Sequence, residues 1–557
     1  MTLKKLWVQR PYQRELLYQF IREGSFSPLI SQILINKGFS EISSAYKFLY
    51  PQLSDFANPF EIPEMDLAVK RIEDSLQGEE RIGIYGDSDA DGIIGSYVLY
   101  DFLSKISKKE PLVLLPDKNK EGYGFHKKYL PFFKANGVKL IITVDVGISA
   151  SDTVEEAKAL GLDVIITDHH EVREKPSSIV VTSKLTSRDS PFHYLCGAGV
   201  ALTLIRAIRS HLYQRGFFSE KRPPSLREYL ELVAIATLAD MVPLLGENRT
   251  ITYFGFKDLN DPFHPALKAL IQSLGLRPPL TEEDLHFRII SSINACGRLG
   301  KAEVFFNFLK SFNPQERESY LRELQNLNQE RQILESELWE RVQKEIEVEE
   351  NLPILLALFE GLPRAMLGLL ANRLKNRYNR PVLILSMENG LAYGSARSPE
   401  GIDLLEMLWN LRDCFLELGG HQRAFGFKIS KEKIPELKSK IREIEIIRPK
   451  GSDVLHLDAI TSISEILLED NQYSLREMQP YGISHHPPLL AVRGFEVRSH
   501  EIIKDKHTKF ILKEGLKEIS AIYFNDILPS KVKMLAVTPY LNNFSQRMEL
   551  KIEDYRF

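Results

Sequence analysis

The sequence predicts an α/β protein: a doubly wound parallel sheet, a long connecting helix, a second α/β domain and a C-terminal β-barrel. Three observations support this class. Strand-like apolar runs alternate with helical segments between residues 81 and 168, a charged helical stretch fills 313–350, and the pattern becomes strand-rich from about residue 450. Strands that alternate with helices are typical of a mostly parallel sheet covered by helices.

Composition sets the outer limits. The 557 residues correspond to three or four domains at roughly 100–200 residues each. The net charge of −3 shows no overall basic character, although a local basic groove is compatible with it. Three cysteines offer no paired framework and indicate a reducing compartment. Because we find neither a secretory signal nor a membrane-length apolar run, we expect a cytoplasmic protein.

The elements follow in order along the chain. Residues 1–75 form an extension of short helices, as in "SPLISQILINKGF", and 76–312 form the first α/β domain. Its strands are "RIGIYGD", "PLVLLPD", "VKLIITVD" and "LDVIITD", and helices such as "GIIGSYVLYDFLSKI" lie between them. The sheet therefore has at least four strands.

The second half has a different pattern. Leucines recur every three or four residues through 313–350 with mixed charge between them, which predicts one long, mostly solvated connecting helix. Residues 351–447 form the second α/β domain, with strands "LPILLALFE" and "RPVLILSM". Five strand-like segments within 450–557 predict a small β-barrel.

Acidic residues and histidines follow the apolar runs of the first α/β domain. Such residues lie at the ends of three predicted strands and at the end of one apolar helix. They are Asp87, Asp89, Asp91, Asp145, Asp168, His169, His170 and Asp240. Ligands of parallel sheets bind at the carboxyl edge of the strands, so we expect these side chains to converge there. Singly, each has an ordinary alternative: a solvated turn, a helix cap or a buried core histidine.

Taken together, these side chains indicate a metal site. Carboxylates with one or two imidazoles and no thiolate favour Mn²⁺ or Mg²⁺ over structural zinc. Several carboxylates around one point can hold two ions about 3.5–4 Å apart, an arrangement used for phosphate ester hydrolysis.

The motifs "GDSDADG", "TVDVGIS", "TDHHE" and "ATLADMVPL" resemble, in order, the four motifs of the DHH phosphoesterase superfamily. Over nearly the whole chain the sequence is similar to the RecJ branch, through segments such as "INACGRLGKAE", "LNQERQ" and "ELGGHQRAFGF". The second α/β domain resembles the DHH-associated domain, and the barrel resembles an OB-fold. The resemblance implies a metal-dependent exonuclease that digests single-stranded DNA from 5′ to 3′ and releases mononucleotides.

The resemblance also implies roles for individual residues. The metal ligands would be Asp89, Asp91, Asp145, His169 and Asp240, which hold two Mn²⁺ or Mg²⁺ ions. His170 would face the scissile phosphate, and Asp87 and Asp168 would support the ligands. The nucleic-acid contacts in the two α/β domains would be Arg298, Arg397, Ser398, Gly419, Gly420 and His421. For "GGH" alone, a plain turn is the simpler interpretation.

The sequence departs from the family pattern at several points. Ser88 replaces an aromatic or aliphatic residue, and Ser291-Ser292 replaces the Pro-Arg that commonly precedes "INA". Residues 362–365 replace a Trp-His-x-Gly segment, Thr182-Ser183 replaces Asn-Pro, and 482–488 differ as well. None of these changes replaces an expected metal ligand. They bear on how tightly the substrate is bound, on the direction of digestion and on the reaction rate.

The barrel carries a lysine-rich stretch that includes Lys506, Lys509 and Phe510. Lysines with aromatic rings on such a fold suit sequence-independent binding of single strands, although a solvated face over core aromatics has the same composition. The family context implies roles in DNA repair and recombination for a monomer, with a single-strand-binding protein and a RecQ-type helicase as partners.

Two other functions remain open at this point. One is a DHH phosphodiesterase that acts on short RNA or dinucleotides, although a dinucleotide needs no barrel. The other is a catalytically inactive single-strand-binding scaffold, which the retention of all five expected ligands argues against.

Overall fold

The computed structural model describes residues 5–11, 13–349, 352–399, 401–445, 454–542 and 545–557, and the side chain of His421 lies outside this description. The N-terminal end holds one strand and three short helices: β1 (Leu6–Gln9), α1 (Arg14–Arg22), α2 (Pro28–Asn36) and α3 (Ile42–Leu49). Ser27 caps α2 by accepting a hydrogen bond from the Ile30 amide. Short helices were predicted here and β1 was not. The predicted boundary at residue 75 falls within the helix Met65–Gln77, which packs in the core of the first α/β domain.

A five-stranded parallel sheet forms the centre of the first α/β domain, in the order β3-β2-β4-β5-β6. The elements up to its last strand are α4 (Met65–Gln77), β2 (Arg81–Gly86), α5 (Ala90–Ile106), β3 (Leu112–Leu114), α6 (Lys118–Glu121), α7 (Leu130–Ala135), β4 (Val138–Val144), α8 (Ser151–Ala159), β5 (Asp163–Asp168) and β6 (Ile179–Thr182). The strands are buried on both faces, as expected of a parallel sheet covered by helices.

Helices complete this domain and lead out of it. They are α9 (Gly197–Gln214), α10 (Leu230–Ala239), α11 (Glu247–Asp258), α12 (Pro265–Ser273), α13 (Glu282–Asp284), α14 (Ser291–Arg298), α15 (Ala302–Lys310) and α16 (Pro314–Glu345). The helix α16 is the predicted connecting helix. It begins after its cap Asn313 and buries one row of leucines against the first domain.

The second α/β domain has a mixed sheet in the order β10-β11-β9-β8-β7, and only β7 and β8 are parallel. Its elements are β7 (Leu355–Glu360), α17 (Arg364–Tyr378), β8 (Val382–Glu388), β9 (Leu391–Arg397), α18 (Leu404–Trp409), β10 (Glu417–His421), β11 (Ala424–Ser430) and α19 (Ile434–Arg442). The "GGH" segment therefore lies in the edge strand β10 and not in a plain turn.

The C-terminal part is a seven-stranded sheet in the order β13-β14-β18-β19-β17-β16-β15. Its elements are β12 (Val454–Leu457), β13 (Ala459–Thr461), α20 (Ile463–Ile466), α21 (Glu469–Glu477), β14 (Leu490–Arg493), β15 (Glu496–Ile503), β16 (His507–Glu514), β17 (Lys517–Tyr523), β18 (Met534–Leu541) and β19 (Met548–Arg556). This arrangement is consistent with the predicted OB-like barrel.

The N-terminal helices and the barrel share one hydrophobic core. Phe20, Ile30 and Leu34 from the helices belong to the same buried cluster as Leu490 and Val537 from the barrel. The strand β1 also pairs in parallel with β12. The two ends of the chain therefore pack as a unit.

Among the described residues, no helix is long and apolar enough to cross a membrane.

Candidate metal centre and nucleic-acid cleft

Three aspartates stand side by side at the carboxyl edge of the parallel sheet. Gly86 pairs with Val144 across β2 and β4, and Val144 pairs with Thr167 across β4 and β5. The next residue on each strand is Asp87, Asp145 or Asp168. Because parallel strands end at the same edge, residues distant in sequence become neighbours there.

Three carboxylates surround one imidazole nitrogen at this edge. The Nε2 atom of His169 lies 3.1 Å from Asp145 Oδ1, 3.5 Å from Asp240 Oδ2 and 3.8 Å from Asp91 Oδ2. His169, Asp91 and Asp145 are almost fully buried. The structure therefore brings together four of the five residues expected to bind metal around one point, and Asp89 and Asp145 form a neighbouring group with Asp87.

The backbone around α9 holds two of these carboxylates. The amides of Gly197 and Ala198, at the N-terminus of α9, donate to Asp91 at 2.7 and 2.8 Å. A Cβ atom on Gly197 would lie 2.5 Å from Cβ of Asp145, so only glycine allows this approach. Asp145 itself has a φ of +61°, and it is too far from α8 to cap that helix. Its backbone strain marks a position held by the surrounding structure.

Asp240 lies at the C-terminal end of α10, where its amide donates to the Ala236 carbonyl. A carboxylate is unfavourable at this end of a helix, because the helix dipole already places negative charge there. A cap would therefore not explain Asp240. A bound cation would offset the repulsion.

Burial and mutual repulsion raise the pKa values of several of these acids. Burial is the larger cause for Asp145 and Asp240, whose pKa values lie well above the usual range, and neighbouring carboxylates such as Asp91 add to it. The pKa values of Asp87 and Asp91 are raised for the same reasons. The cluster is electrostatically costly without positive charge.

Lys118, from α6, provides part of that charge. Its Nζ atom pairs with Asp87 and lies 3.1 Å from Asp89 Oδ2. Burial opposes ionisation of Asp89, but Lys118, the Gly92 amide and Asp87 together outweigh it, so the pKa of Asp89 is lowered to about 2. Nearby, Tyr123 donates to the Asp145 carbonyl at 3.2 Å and lies 3.1 Å from Nδ1 of His170.

Lys118 and Tyr123 were not predicted from the sequence. The available signal was their place in the chain, because "PDKNKEGY" follows β3 at the same edge of the sheet as the acids. Ligands of parallel sheets bind at the carboxyl edge of the strands, and this rule identified the segments after β2, β4 and β5. The same rule could have assigned the charged segment after β3 to the site.

Asp168 orients the second histidine. Its Oδ1 atom lies 2.8 Å from Nδ1 of His170 and accepts the amides of His169 and His170, while Oδ2 accepts the Ile148 amide at 3.0 Å. Burial works against the charged form of Asp168, yet His170 and these amides lower its pKa. Asp168 is thus saturated by hydrogen bonds, which suits a supporting role and not direct coordination.

The donor set fits a hard divalent cation. Asp145 Oδ1 and Asp240 Oδ2 are buried, and neither accepts a hydrogen bond within the described residues. Buried carboxylate oxygens are normally satisfied, so these two atoms point to a missing positive partner. Oxygen ligands with an imidazole and no thiolate match Mn²⁺ and Mg²⁺.

Two arginines from different α/β domains lie near one another, and the space beside them, between the domains, is called the cleft below. Arg298 ends α14 and Arg397 ends β9. Burial lowers the pKa of Arg397 to about 10, with Arg298 as a second cause, so the two guanidinium groups are close enough to repel one another. The pKa of Lys375 on α17 is lowered too, by burial, Arg423 and Arg397. This side of the cleft is suited to an anionic ligand.

The other residues predicted to bind nucleic acid gather beside Arg397. The Ser398 amide donates to the Arg423 carbonyl at 3.0 Å, and the buried Ser398 hydroxyl has no hydrogen-bond partner among the described residues. Gly419 faces open space, and Gly420 has a φ of +140° that favours glycine. His421 is adjacent in β10, but its side chain lies outside the described part.

The two α/β domains touch at two places described here. The Asn119 side chain donates to the Arg298 carbonyl at 2.8 Å and accepts the Ala365 amide at 3.3 Å. Elsewhere, the Arg173 guanidinium stacks on the Trp409 ring. These contacts hold the two α/β domains against each other.

The prediction that Phe510 contacts nucleic acid is wrong. Phe510 is fully buried in the barrel core, where its ring packs on His500. Consecutive residues of a strand point to opposite faces, so Phe510 and Lys509 cannot share one binding surface. Lys506 is exposed in the turn before β16, and Lys509 is half-buried opposite Glu501. The exposed ring near this turn is Phe524, which packs against His507.

Three family models match the chain in the order that the folds suggest. The DHH family N-terminal domain matches residues 81–237, the DHHA1 domain matches 351–445, and the RecJ OB domain matches 457–554. One match lies before α16 and two lie after it.

Two named relatives are similar over most of the chain. The single-stranded-DNA-specific exonuclease RecJ of Bacillus subtilis is 33% identical over 94% of this chain, which spans 66% of that protein's length. The protein of the same name from Salmonella typhimurium is 30% identical, with 89% of each chain covered.

Solved structures show the same architecture. RecJ from Thermus thermophilus in complex with Mn²⁺ matches with a TM-score of 0.81 at 24% identity, over 99% of this chain and 79% of that one. An exonuclease RecJ bound to manganese matches with a TM-score of 0.57 at 28% identity, over 70% of this chain and 96% of that one.

Proposed function

The chain belongs to the RecJ family of single-stranded-DNA-specific exonucleases, and on that premise we propose that it digests single-stranded DNA from the 5′ end with divalent metal and releases mononucleotides. The observation that carries the proposal is the convergence of Asp91, Asp145 and Asp240 on Nε2 of His169. Such a cluster is unfavourable without a cation, and cation-loaded carboxylates suit phosphodiester hydrolysis.

Two Mn²⁺ or Mg²⁺ ions are the proposed cofactors. The residues that would hold them are Asp89, Asp91, Asp145, His169 and Asp240. When bound, such ions make a coordinated water acidic near neutral pH and stabilise the charge that develops on the phosphate.

The chain's own residues complete the site. Asp168 fixes the ring of His170 through Nδ1, and we assign the other edge of that ring to the scissile phosphate. Lys118 keeps Asp87 and Asp89 in place by pairing with both. These contacts set the geometry of the acids before substrate arrives, so little reorganisation is needed during the reaction.

We assign the cleft to the binding of the single-stranded DNA. Arg298 and Arg397 offer forked guanidinium groups for backbone phosphates. Ser398, Gly419, Gly420 and His421 are assigned to the 5′ end, where the glycines let the backbone of β10 approach a phosphate closely. On the barrel, we assign Lys506 and Lys509 to the negatively charged phosphates of the DNA. The exposed Phe524 is assigned to base stacking, in place of the buried Phe510.

The contacts at Asn119 and Arg173 support single-strand selectivity. They join the two α/β domains, and on this proposal they keep the cleft too narrow for a duplex. We further propose that the protein acts in DNA repair and recombination, with a single-strand-binding protein and a RecQ-type helicase as partners.

The test is digestion of single-stranded DNA labelled at the 5′ or the 3′ end, with Mn²⁺, Mg²⁺ or EDTA, beside a matched duplex. We expect immediate release of labelled mononucleotide from the 5′ end only, dependent on metal and absent on duplex. Release from the 3′ end first would reject the polarity. Strand binding without cleavage in any metal would reject the enzyme and favour a scaffold.

A further inference from the structure

A buried carboxylate on the connecting helix links both α/β domains. Glu335 and Arg331 on α16 are each only 9% exposed, and their side chains pair at 2.6 Å. The second carboxylate oxygen of Glu335 pairs with Arg373 of α17 at 2.8 Å. One carboxylate thus connects two guanidinium groups from different elements.

Arg331 extends this link to the first domain. Its second terminal nitrogen donates to the Ser291 hydroxyl at 2.9 Å and to Asn328 Oδ1 at 2.7 Å. Asn328 in turn donates to the Ser292 hydroxyl at 3.3 Å. The hydroxyls of Ser291 and Ser292, in the first turn of α14, therefore accept hydrogen bonds from side chains of α16. These are the two serines that replace the family's Pro-Arg.

Of the two arginines of the cleft, Arg298 lies on one of the linked helices and Arg397 lies against another. Arg298 is the last residue of α14, and Arg331 and Glu335 are among the charges that act on it. On the other side, Arg397 lies over Gly368 of α17, where a Cβ atom would come within 2.6 Å of its guanidinium. Moving α17 relative to α14 would therefore change the separation of Arg298 and Arg397.

We propose that Glu335 is a positioning residue that sets the width of the cleft, and with it the preference for one strand over two, by tying α14 and α17 to α16. The inference rests on the proposed function, because it assigns the cleft to DNA. A buried ion pair shared by three elements is well suited to this task, since losing one partner leaves uncompensated charge and shifts the others.

The experiment compares Glu335→Gln and Arg373→Met with the wild type. Arg373→Met cuts the same link from a side chain that is 40% exposed, so it decides the question if Glu335→Gln does not fold. The control is Glu318→Gln, which removes an exposed pair with Arg322 at the same spacing on the same helix. Binding of a single strand and of a matched duplex is measured by fluorescence anisotropy in EDTA, and kcat and KM are measured with Mn²⁺.

Both variants should raise Kd and KM for the single strand about tenfold and narrow the gap between single strand and duplex, while kcat stays within about twofold of the wild-type value. Glu318→Gln should match the wild type. Unchanged discrimination, or a lower kcat at unchanged KM, would overturn the proposal. If the wild-type protein bound DNA without digesting it, the proposed function would be rejected. The comparison of DNA binding by the variants would still test the positioning role of Glu335.

Discussion

At the scale of single residues, Asp89 has two structural tasks. It caps α5, since its Oδ1 atom accepts the Gly92 amide at 3.2 Å, and its other oxygen lies 3.1 Å from Lys118. The cap needs an oxygen, whereas metal binding needs a negative charge. The two tasks can therefore be separated by a substitution that keeps the oxygen and removes the charge.

Asp89→Asn should lower kcat by about 100-fold at saturating Mn²⁺, because an amide is a weak metal ligand. The melting temperature should stay close to that of the wild type, since Asn caps helices as well as Asp. The matched control is Asp403→Asn, which changes the cap of α18 in the second domain. Near-native digestion by the Asp89 variant would show that Asp89 is not a metal ligand.

Residue types and spacing in the sequence were enough to identify the acidic residues of the site. They were not enough to identify every side chain that pairs with those acids. Lys118 lies 29 positions from Asp89 in the sequence, and nothing in its local pattern shows that it pairs with that acid. Phe510 shows the opposite failure. Alternation along β16 places Thr508, Phe510 and Leu512 inside, and an aromatic ring beside lysines was wrongly assigned to their face.

At the scale of elements, packing of α14 on the acidic loop fixes the site. Asn294 accepts the Ala90 amide at 2.9 Å at the start of α5. Gly297 lies so close to the loop that a Cβ atom there would stand 1.8 Å from the Ser88 carbonyl oxygen. The backbone of α14 therefore packs directly on the backbone of the loop that carries Asp87 and Asp89.

Gly297→Ala should push α14 away from the loop that carries Asp87 and Asp89. We expect a loss of about 1–3 kcal/mol in the free energy of unfolding, as in other overpacked sites. Digestion of single-stranded DNA should slow by about 100-fold, because small shifts of catalytic groups are costly.

Gly78→Ala is the control for Gly297, because its nearest neighbour would lie 3.2 Å away and its φ is negative. Initial rates and urea unfolding of both variants give the comparison. Full activity of Gly297→Ala would mean that the contact between α14 and the acidic loop does not position the acids.

Elements of the parallel sheet were predictable because their apolar runs are long and bounded by turns. The strand β1 was not, because it pairs only with β12, far away in the sequence. The segment "LLAVRGFEVRSHEII" is one of the five strand-like segments that the sequence shows within 450–557, yet Gly494 has a φ of +77° and divides it into β14 and β15. Pairing and turn geometry decide such cases, and neither is visible in periodicity.

At the scale of the whole molecule, Arg249 joins three regions. This buried side chain of α11 donates to the carbonyls of Phe48, Gln479 and Glu477, at 2.9, 2.9 and 2.6 Å. Phe48 belongs to the N-terminal helices, and the other two residues belong to the C-terminal part. The first domain is thereby fastened to the unit that the two chain ends form.

Arg249→Met should lower the free energy of unfolding by about 3 kcal/mol, because three buried carbonyls lose their donor. Urea unfolding followed by circular dichroism measures the change. The control is Arg209→Met, where a half-buried arginine loses one carbonyl contact at 2.9 Å. Equal stability of the two variants would contradict the role of Arg249.

The shared core also limits how the barrel can be studied. Domain order was predictable from the change in pattern along the chain, but the packing of residues 14–49 on the barrel was not, because it joins the two ends of the sequence. Removing 450–557 would expose Phe20, Ile30 and Leu34 to water. Substitutions at Lys506 and Phe524 therefore test the barrel's role in DNA binding better than truncation does.

The central claim is that the acids around His169 hold divalent cations. The most direct measurement is the number of Mn²⁺ ions bound per chain, from the electron paramagnetic resonance signal of free Mn²⁺ during titration of the wild type and of Asp145→Asn. The account predicts two ions on the wild type and a loss of at least one on the variant, because Asp145 belongs to two of the three candidate ligand groups among the described residues, one with His169 and His170 and one with Asp87 and Asp89. Equal binding by the two proteins, or none by the wild type, would contradict it.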